Sequence, residues 1–543
     1  MGNHVQLLDC TLRDGAYIVN SEFGVPAIKG IIKKMQESNV DIIECGWLKN
    51  DPHKKGTSFY HIPSDLEQYL PEKDSHTTYV AMIDWDRYDL NNLPPYDGRS
   101  IDAIRVVFPH AKFKEGITLG KVIKEKGYQV YFQAANTLGY HDSELIELAQ
   151  TINHASPVCL SVVDTFGAMY SDNLSHIVSI LDQHLDKNIK LGFHSHNNQQ
   201  LSFALTMQFI EMLQRKSRAC VVDASLCGMG RGAGNATTEL VANFLNHKFR
   251  GNYDMNIIMD TIDMYMQQFQ ANFQWGYSTP NFIAGMYCTH VNNIAYLLQN
   301  HRTTARDMRN IIESLSPEDR KTYNYDLLEE KYIDYQNKTV DDELTLSKLK
   351  EQFKEKEVLL LLPGRSLIEE KEIIDNYIQD HQPVIIGVNA VFNDYTYDYI
   401  FFSNKIRYDY AKEIYSQLFR SFPKIVSSSI KTVPAENEMI VNFNLLVKRG
   451  WDHFDNSGIM CLRLLNKLHV SQIALAGFDG FGNSYDENYA DISLPHINPG
   501  KEWDELNSEI NDMLLDFERT TKDYMHIKFI TKSKFQLSSD KKE

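Results

Sequence analysis

The sequence predicts an α/β fold: an N-terminal (β/α)8 TIM barrel, then a helical connector, then a Rossmann-like open α/β domain. Short apolar runs alternate with helical segments over about 240 residues, which is the pattern and length of a closed parallel barrel. Polar residues follow nearly every run, and barrel enzymes build their active sites at that end of the strands. An open, doubly wound sheet is the structural alternative.

The barrel strands are predicted where apolar and β-branched residues cluster between polar turns. Their predicted limits are 5–9, 40–46, 77–83, 101–108, 128–134, 158–163, 189–193 and 220–224. Apolar residues at helical spacing predict helices between them, for example at 25–38, 143–154, 173–184 and 199–214. Each helix would return the chain to the start of the next parallel strand.

The alternation changes character from about residue 278, which predicts the end of the barrel. We assign residues 1–298 to the barrel and the charged, helical residues 299–355 to a connector. Residues 356–535 again alternate between strands and helices, but they are too few for a barrel and are typical of an open sheet. Residues 536–543 are expected to form a polar tail.

Composition excludes several classes of protein. The net charge of -17 argues against a general nucleic-acid binder, which needs a basic face. No apolar run approaches the roughly 18–20 residues of a membrane span, so no membrane contact is expected. The 7 cysteines form no C-x-x-C pair, and the N-terminus enters a strand directly, without a signal peptide. These features predict a cytoplasmic protein with reduced thiols.

His194 and His196 lie two residues apart at the end of the apolar run 189–193. In a strand, residues i and i+2 point to the same face, so both imidazoles would converge on one point. Such a pair can bind a metal ion together with a carboxylate from elsewhere in the chain. The alternative is a pair of surface histidines on a polar loop.

Three separated motifs carry a family resemblance: Thr11-Leu-Arg-Asp-Gly15, His194-Ser-His196 and the glycine-rich loop Gly228–Asn235. Together, over roughly residues 4–290, they resemble the DRE-TIM metallolyases, which include HMG-CoA lyase, isopropylmalate synthase and the class II 4-hydroxy-2-oxovalerate aldolases. Asp164-Thr-Phe-Gly-Ala-Met169 is most similar to the aldolase branch. The resemblance implies a divalent-metal-dependent aldolase acting on a 2-oxo acid, such as pyruvate, and an aldehyde.

The resemblance also implies a metal site. Asp14, His194 and His196 would be the ligands, and Asn235 corresponds to a fourth ligand in the acyl-CoA-lyase branch. Two imidazoles, a carboxylate and open positions suit Mn²⁺, the metal we expect, with Mg²⁺, Co²⁺ or Zn²⁺ as alternatives.

Arg13 and Glu44 match the remaining residues of the superfamily signature. Arg13 would stabilise the charge that develops on the enolate oxygen. Glu44 would hold Arg13 through an ion pair. A solvated turn pair is the alternative for Arg13 and Asp14.

The acid/base departs from the aldolase pattern, because Tyr17 occupies the position of the aldolase histidine. Tyr287 resembles the tyrosine that aldolases place near the substrate hydroxyl, and Tyr17 is a second candidate, with a packed aromatic as its alternative. Thr165 and the loop glycines are expected to contact substrate; these glycines are Gly228, Gly230 and Gly232. His53, His61 and Asp84 are polar loop residues without an assigned role, and Cys227 is interpreted as structural.

The C-terminal strand ends carry Gly, Asn and Ser residues, and open sheets bind ligands at such ends. They are loosely similar to bacterial sialyltransferase-like domains, which handle a CMP-linked sugar. This implies a nucleotide or nucleotide-sugar site that includes Ser366 and Asn389. Pro363 replaces the first-turn asparagine of that family, so transferase activity is not expected. A non-catalytic module or an oligomerisation domain is the alternative.

Three functions remain from the sequence. The first is an aldolase, a carbon–carbon lyase, in sugar or surface-polysaccharide metabolism. The second is a Claisen-type acyl-CoA lyase or synthase, which would require CoA binding and Cys227. The third is a catalytically inactive binding or scaffold protein. A homo-oligomer, most simply a dimer, is expected because barrels of this kind commonly dimerise.

Overall fold

The computed structural model describes residues 5–301, 303–337, 339–430, 437–483, 488–495 and 502–537. The chain divides into two compact units: Met1–Val291 with Arg320–Thr322, and Asn292–Asp319 with Tyr323–Glu543. Most of the predicted polar tail, residues 538–543, lies outside the described residues. Within the described residues, no helix combines the length and the apolar character that crossing a membrane requires.

Unit 1 contains a closed ring of eight parallel strands, because the first strand pairs with both the second and the last. A two-residue strand, β3, adds to β2 outside the ring. The predicted (β/α)8 barrel is therefore confirmed. The strands are β1 Val5–Asp9, β2 Ile42–Leu48, β3 Phe59–Tyr60, β4 Thr78–Asp84, β5 Ala103–Phe108, β6 Gln129–Ala134, β7 Cys159–Asp164, β8 Lys190–Ser195 and β9 Cys220–Ala224.

Helices surround the ring and bury one apolar face each. In Val25–Glu37, the buried residues Ala27, Ile28, Ile31, Ile32 and Met35 recur at helical spacing. The other long helices of unit 1 are Phe113–Glu125, Asp142–Ala155, Ser171–His184, Ser202–Arg215 and Thr238–Phe249. Shorter helical segments are Thr11–Asp14, Gly15–Tyr17, Pro63–Leu66, Leu90–Asn92, His110–Lys112, Thr137–Gly139, Leu226–Gly228, Met255–Thr261, Ile262–Met266, Gln267–Asn272 and Thr279–Met286.

The barrel interior has an apolar base and a charged layer above it. Ile42, Ala103 and Val221 belong to a small buried apolar cluster inside the ring. Side chains alternate along a strand, so residues two positions further on face the same way. Those residues are Glu44, Arg105 and Asp223, and all three are buried. The strand period thus places charged groups directly below the carboxyl-terminal mouth of the barrel.

Among the described residues, five helices follow the barrel: Val291–Asn300, Ala305–Ser314, Pro317–Lys321, Tyr325–Gln336 and Glu343–Phe353. The part of unit 2 that the structure describes contains a seven-stranded parallel sheet in the order β14-β13-β12-β11-β10-β15-β16. Its strands are β10 Glu357–Leu361, β11 Val384–Val388, β12 Tyr399–Phe402, β13 Lys424–Ser427, β14 Glu438–Val441, β15 Gln472–Ala476 and β16 His526–Phe529. The predicted open α/β sheet is confirmed. The sequence predicts its strands from residue 358 and at 383–388, 399–402, 424–427 and 473–476, so β14 and β16 were not predicted.

Helices accompany this sheet, as a parallel sheet requires. They are Ser366–Glu369, Lys371–His381, Lys405–Ile414, Ser416–Ser421, Phe443–Leu446, Ser457–Lys467 and Trp503–Thr521. The core of unit 2 includes Leu359, Ile400 and Phe402 from the central strands.

Candidate metal and catalytic site

The structure brings Asp14, His194 and His196 together. One potential ligand atom of each lies within 4.8 Å of the others, and all three side chains are buried. Asp14 closes the short helix that follows β1, whereas His194 lies in β8 and His196 directly follows that strand. The pair separated by two residues therefore converges on one point, as the strand period predicts.

Asp14 is held as a carboxylate. It accepts hydrogen bonds from Arg13 Nη1 at 2.5 Å, Asn235 Nδ2 at 2.7 Å and the backbone N–H of Arg231 at 3.3 Å. Burial favours the neutral acid, but the Arg13 guanidinium and the hydrogen bond from Asn235 outweigh it and lower the pKa of Asp14. A metal ligand must be deprotonated, so this environment suits the role.

The surroundings of the two imidazoles also suit metal binding. Burial lowers the pKa of His196 to about 3, so its ring is neutral and can offer a lone pair. His194 Nδ1 lies 3.0 Å from Asp223 Oδ2, which fixes the orientation of its ring. Carboxylates commonly orient metal-binding histidines in this way.

A chain of buried charges of alternating sign runs from Asp14 to Asp223, which contacts His194. Arg13 Nε donates to Glu44 Oε2 at 2.7 Å, and Arg105 Nη1 lies 2.8 Å from the same oxygen. Arg105 also pairs with Asp223. Each charge therefore has an opposite neighbour, which offsets the cost of burial.

Sequence reasoning identified Glu44 but missed Arg105 and Asp223. Both lie in the middle of apolar runs, at positions whose neighbours two residues away are inward-facing Ala103 and Val221. A charged residue at an inward position of a predicted barrel strand was the signal that could have identified them.

Asn235 fits a fourth ligand. Its Nδ2 is used by Asp14, whereas its Oδ1 is buried and accepts no hydrogen bond from the part of the chain that the structure describes. An amide oxygen is a suitable ligand for hard divalent ions. The donor set of one carboxylate, two imidazoles and one amide oxygen therefore fits a divalent metal.

A cavity of about 640 Å³, including its open mouth, lies above these groups. This volume is typical of a small-molecule site. Its lining combines charged with apolar side chains, among them Arg13, Asp14, Tyr17, Trp47, Met82, Asp84, Gln133, Thr165, His194, His196 and Arg231.

Of the remaining predicted residues, two line the cavity and one is not among its described lining residues. Tyr17 and Thr165 line the cavity, and the Thr165 hydroxyl accepts the backbone N–H of Asn136 at 2.7 Å. Tyr287 follows the helix Thr279–Met286 and packs against the Arg320 guanidinium, with 5.1 Å between Cζ and the ring centroid. Among the described residues that line the cavity, Tyr287 does not occur.

The glycine loop positions other groups. A side chain at Gly230 would collide with the Asp14 carboxylate, so glycine allows the close approach. Gly228 and Gly232 have φ of +64° and +65°, the left-handed region that favours glycine. The loop carries Arg231, which the sequence reasoning did not assign.

Arg231 lies at the mouth of the cavity. Its Cζ lies 5.1 Å from the Tyr17 ring centroid, and its Nη2 lies 2.6 Å from His290 Nε2. These contacts aim a guanidinium group at the cavity, where it can attract an anionic substrate.

Cys227 is half-buried in the same loop, and burial raises the pKa of its thiol to about 12. A thiol that stays protonated is a poor nucleophile. This agrees with its interpretation as a structural residue.

Comparisons with known proteins found similar chains. Residues 111–264 match the HMGL-like family model. Over 246 residues the chain is 27% identical to a 4-hydroxy-2-oxovalerate aldolase of Thermomicrobium roseum, covering 44% of this chain and 66% of that protein. Both matches are similarities to proteins of the DRE-TIM metallolyase type. The Pelotomaculum thermopropionicum 4-hydroxy-2-oxovalerate aldolase is 25% identical over 57% of this chain and 90% of its own length.

Solved structures are similar to the N-terminal part of the chain. The N-terminal domain of a candidate aldolase from Bacteroides vulgatus has 25% identity and a TM-score of 0.45, covering 53% of this chain and 95% of that domain. The Bacillus subtilis HMG-CoA lyase has 14% identity and a TM-score of 0.39, covering 50% and 94%.

In unit 2, the predicted ligand residues have structural partners. Ser366 donates its backbone N–H, at 2.7 Å, and its hydroxyl to the Asp479 carboxylate. Asn389 donates to the Ser457 hydroxyl at 2.6 Å and lines a cleft at the carboxyl ends of the strands. Ser366 therefore supports the cleft through Asp479, which lines it.

Proposed function

We propose that unit 1 is a divalent-metal-dependent class II aldolase that makes or cleaves the bond between a pyruvate-type 2-oxo acid and an aldehyde. The observation that carries this proposal is the convergence of Asp14, His194 and His196 beside Arg13 in one cavity. The relatives named 4-hydroxy-2-oxovalerate aldolase support the reaction class.

Four residues are proposed as metal ligands, and Arg13 is proposed to stabilise the developing charge. Asp14, His194, His196 and Asn235 would hold the metal, which when bound supplies Lewis-acid polarisation of the substrate keto oxygen. Mn²⁺ is the proposed metal, with Mg²⁺, Co²⁺ and Zn²⁺ as alternatives. Arg13 stabilises the negative charge that develops on that oxygen.

Proton exchange of pyruvate tests this proposal. An aldolase that forms the enolate exchanges the pyruvate methyl protons in D2O, and NMR measures the rate. We expect exchange with Mn²⁺, none after chelation, and none in Arg13→Ala. Arg215→Ala is the matched control, because Arg215 is 80% exposed and outside the cavity lining. Absence of exchange with every metal would overturn the pyruvate proposal.

The two alternative functions have less support. An acyl-CoA lyase that depends on Cys227 would need a reactive thiol, whereas burial keeps this one protonated. An inactive scaffold would gain little from a buried charged layer, because apolar replacements of buried ion pairs are often neutral or stabilising.

For unit 2 we propose a nucleotide or nucleotide-sugar site. The strand order reverses between β10 and β15, and open sheets bind ligands at such a switch point. The loops after these strands supply Gly364 and Asp479 to the cleft, and Arg407 and Phe478 line it as well. Arg407 offers a charge for phosphate and Phe478 a flat surface for a base.

Calorimetric titration with CMP, UMP and their sugar conjugates tests this site. We expect Arg407→Met to weaken binding at least about tenfold, the loss of one charged contact. Arg519→Met is the control, since this arginine is 70% exposed and outside the cleft lining. Binding of a nucleotide-sugar would connect the aldolase with sugar or surface-polysaccharide metabolism. Light scattering of the same samples tests the expected homodimer.

A further inference from the structure

An aldol reaction needs a group that exchanges a proton with the substrate, and position 17 holds tyrosine instead of histidine. This inference rests on the proposed function. The titratable side chains among the described residues of the cavity lining are Arg13, Asp14, Tyr17, Asp84, His194, His196 and Arg231. Three of them form the proposed metal triad, and the two guanidinium groups stay protonated. Tyr17 and Asp84 remain.

Tyr17 is suited to donating a hydrogen bond but not to accepting a proton. The residue is 48% exposed, and a phenol has a usual pKa near 10, so Tyr17 keeps its proton at neutral pH. A general base must be deprotonated when the substrate binds. Tyr17 alone therefore leaves the reaction without a base.

Asp84 ends β4 and lies on the same strand face as Met82, which also lines the cavity. Its ion-pair partner is Arg87 Nη1 at 3.6 Å, and the Arg87 side chain is 75% exposed, so solvent weakens the pair. No hydrogen bond from a described residue reaches the Asp84 carboxylate. By contrast, the carboxylate of Asp164, which ends β7, accepts hydrogen bonds from the backbone N–H groups of Ala168 and Met169.

Asp84 is surrounded by both positively and negatively charged groups. Burial raises the pKa of its carboxyl group, which brings it closer to neutral pH. The charged groups that face it are Arg87, Asp86, Lys49 and Arg13, together with the titratable Tyr17. A carboxyl group can both accept and return a proton, which the two directions of an aldol reaction require.

We propose that Asp84 is the catalytic acid and base of the barrel. In cleavage, its carboxylate accepts the proton of the substrate 4-hydroxyl group. The C3–C4 bond breaks, the aldehyde carbonyl forms, and the electron pair moves into the enolate of the 2-oxo acid. The Asp84 carboxyl then returns the same proton to C3, which completes pyruvate and restores the carboxylate.

The return step gives a test without knowledge of the aldehyde. By microscopic reversibility, the group that protonates C3 also removes a pyruvate methyl proton during exchange in D2O. Oxaloacetate reaches the same enolate by losing CO2, without removal of a C–H proton. We expect Asp84→Asn, loaded with Mn²⁺, to lower the ratio of pyruvate exchange to oxaloacetate decarboxylation about 100-fold. Asp84→Glu should recover part of the ratio.

Asp260→Asn is the matched control, because Asp260 is exposed, outside the cavity lining and not among the charged groups that face Asp84. Its ratio should stay within about twofold of the unmodified protein. Metal content and melting temperature are measured for every variant, so that loss of metal or of fold is recognised. A metal-loaded Asp84→Asn protein with an unchanged ratio would overturn the inference, and so would loss of exchange in Tyr17→Phe alone. If the unmodified protein catalyses neither reaction, the proposed function fails as well.

Discussion

Asp223 connects the buried charges to the proposed metal site, because it contacts both Arg105 and His194. We expect Asp223→Asn to weaken Mn²⁺ binding about 10- to 100-fold, since the partner that orients His194 is lost. It should also lower the free energy of unfolding by about 3–5 kcal/mol, because Arg105 stays buried with one partner fewer. Metal titration and chemical denaturation measure the two effects.

Asp182→Asn is the control for this prediction. Asp182 pairs with the buried Arg218 at 2.5 Å and lies on an outer helix, outside the lining of the cavity. Its loss should destabilise the protein without changing Mn²⁺ affinity. Equal affinity losses in both variants would indicate general destabilisation instead.

His290 gives a prediction about pH. Burial and the charge of Arg231 lower its pKa from 6.5 to about 3. Between these values the unfolded chain binds a proton that the folded protein does not. Above pH 6.5, His290 does not lower the free energy of unfolding, because it is neutral in both states. Between pH 6.5 and about 3, protonation of the unfolded chain lowers the free energy of unfolding by at most about 1.4 kcal/mol per pH unit. We expect a shallower decline in His290→Gln, measured by denaturation between pH 7.5 and about 4.

At the scale of elements, the helix Phe113–Glu125 approaches the barrel through glycine. A side chain at Gly120 would collide with the Phe132 ring of β6. Alanine normally favours a helix, but here overpacking should dominate, and we expect Gly120→Ala to cost about 1–3 kcal/mol. Thermal denaturation tests this prediction, with Lys121→Ala on the exposed side of the same helix as control. A stabilised Gly120→Ala variant would contradict it.

Alternation of apolar runs and helical periods was sufficient to predict both sheets, because each strand is several residues long and buried. β3 was missed since it has only two residues, and β16 because its His-Ile-Lys-Phe sequence lies at a sheet edge. The sequence motifs likewise named Arg13, Asp14, His194 and His196, which the structure brings together at the mouth of the barrel, but also Tyr287, which is not among the described residues of the cavity lining. Asp84 and Arg231 received no role, because the cavity that gathers them is formed by separate loops.

The whole molecule consists of two units with separate cores, and the proposed ligands belong to different units. Each ligand should therefore raise the melting temperature of one calorimetric transition only. At about 100 times its Kd, Mn²⁺ should stabilise the barrel transition by about 2.7 kcal/mol. A nucleotide should act on the other transition. A shift of both transitions by Mn²⁺ alone would contradict this expectation.

Residues Arg320–Thr322 belong to unit 1, although the chain has already entered unit 2 at Asn292. The Arg320 carbonyl accepts hydrogen bonds from the His290 backbone at 2.7 Å and the Thr289 hydroxyl at 3.0 Å. A single recombination event between residues 292 and 319 would therefore separate the barrel from Arg320–Thr322, which belong to the same compact unit. Exchange of either module between genes would need a matched pair of junctions, so the two units are expected to be inherited together.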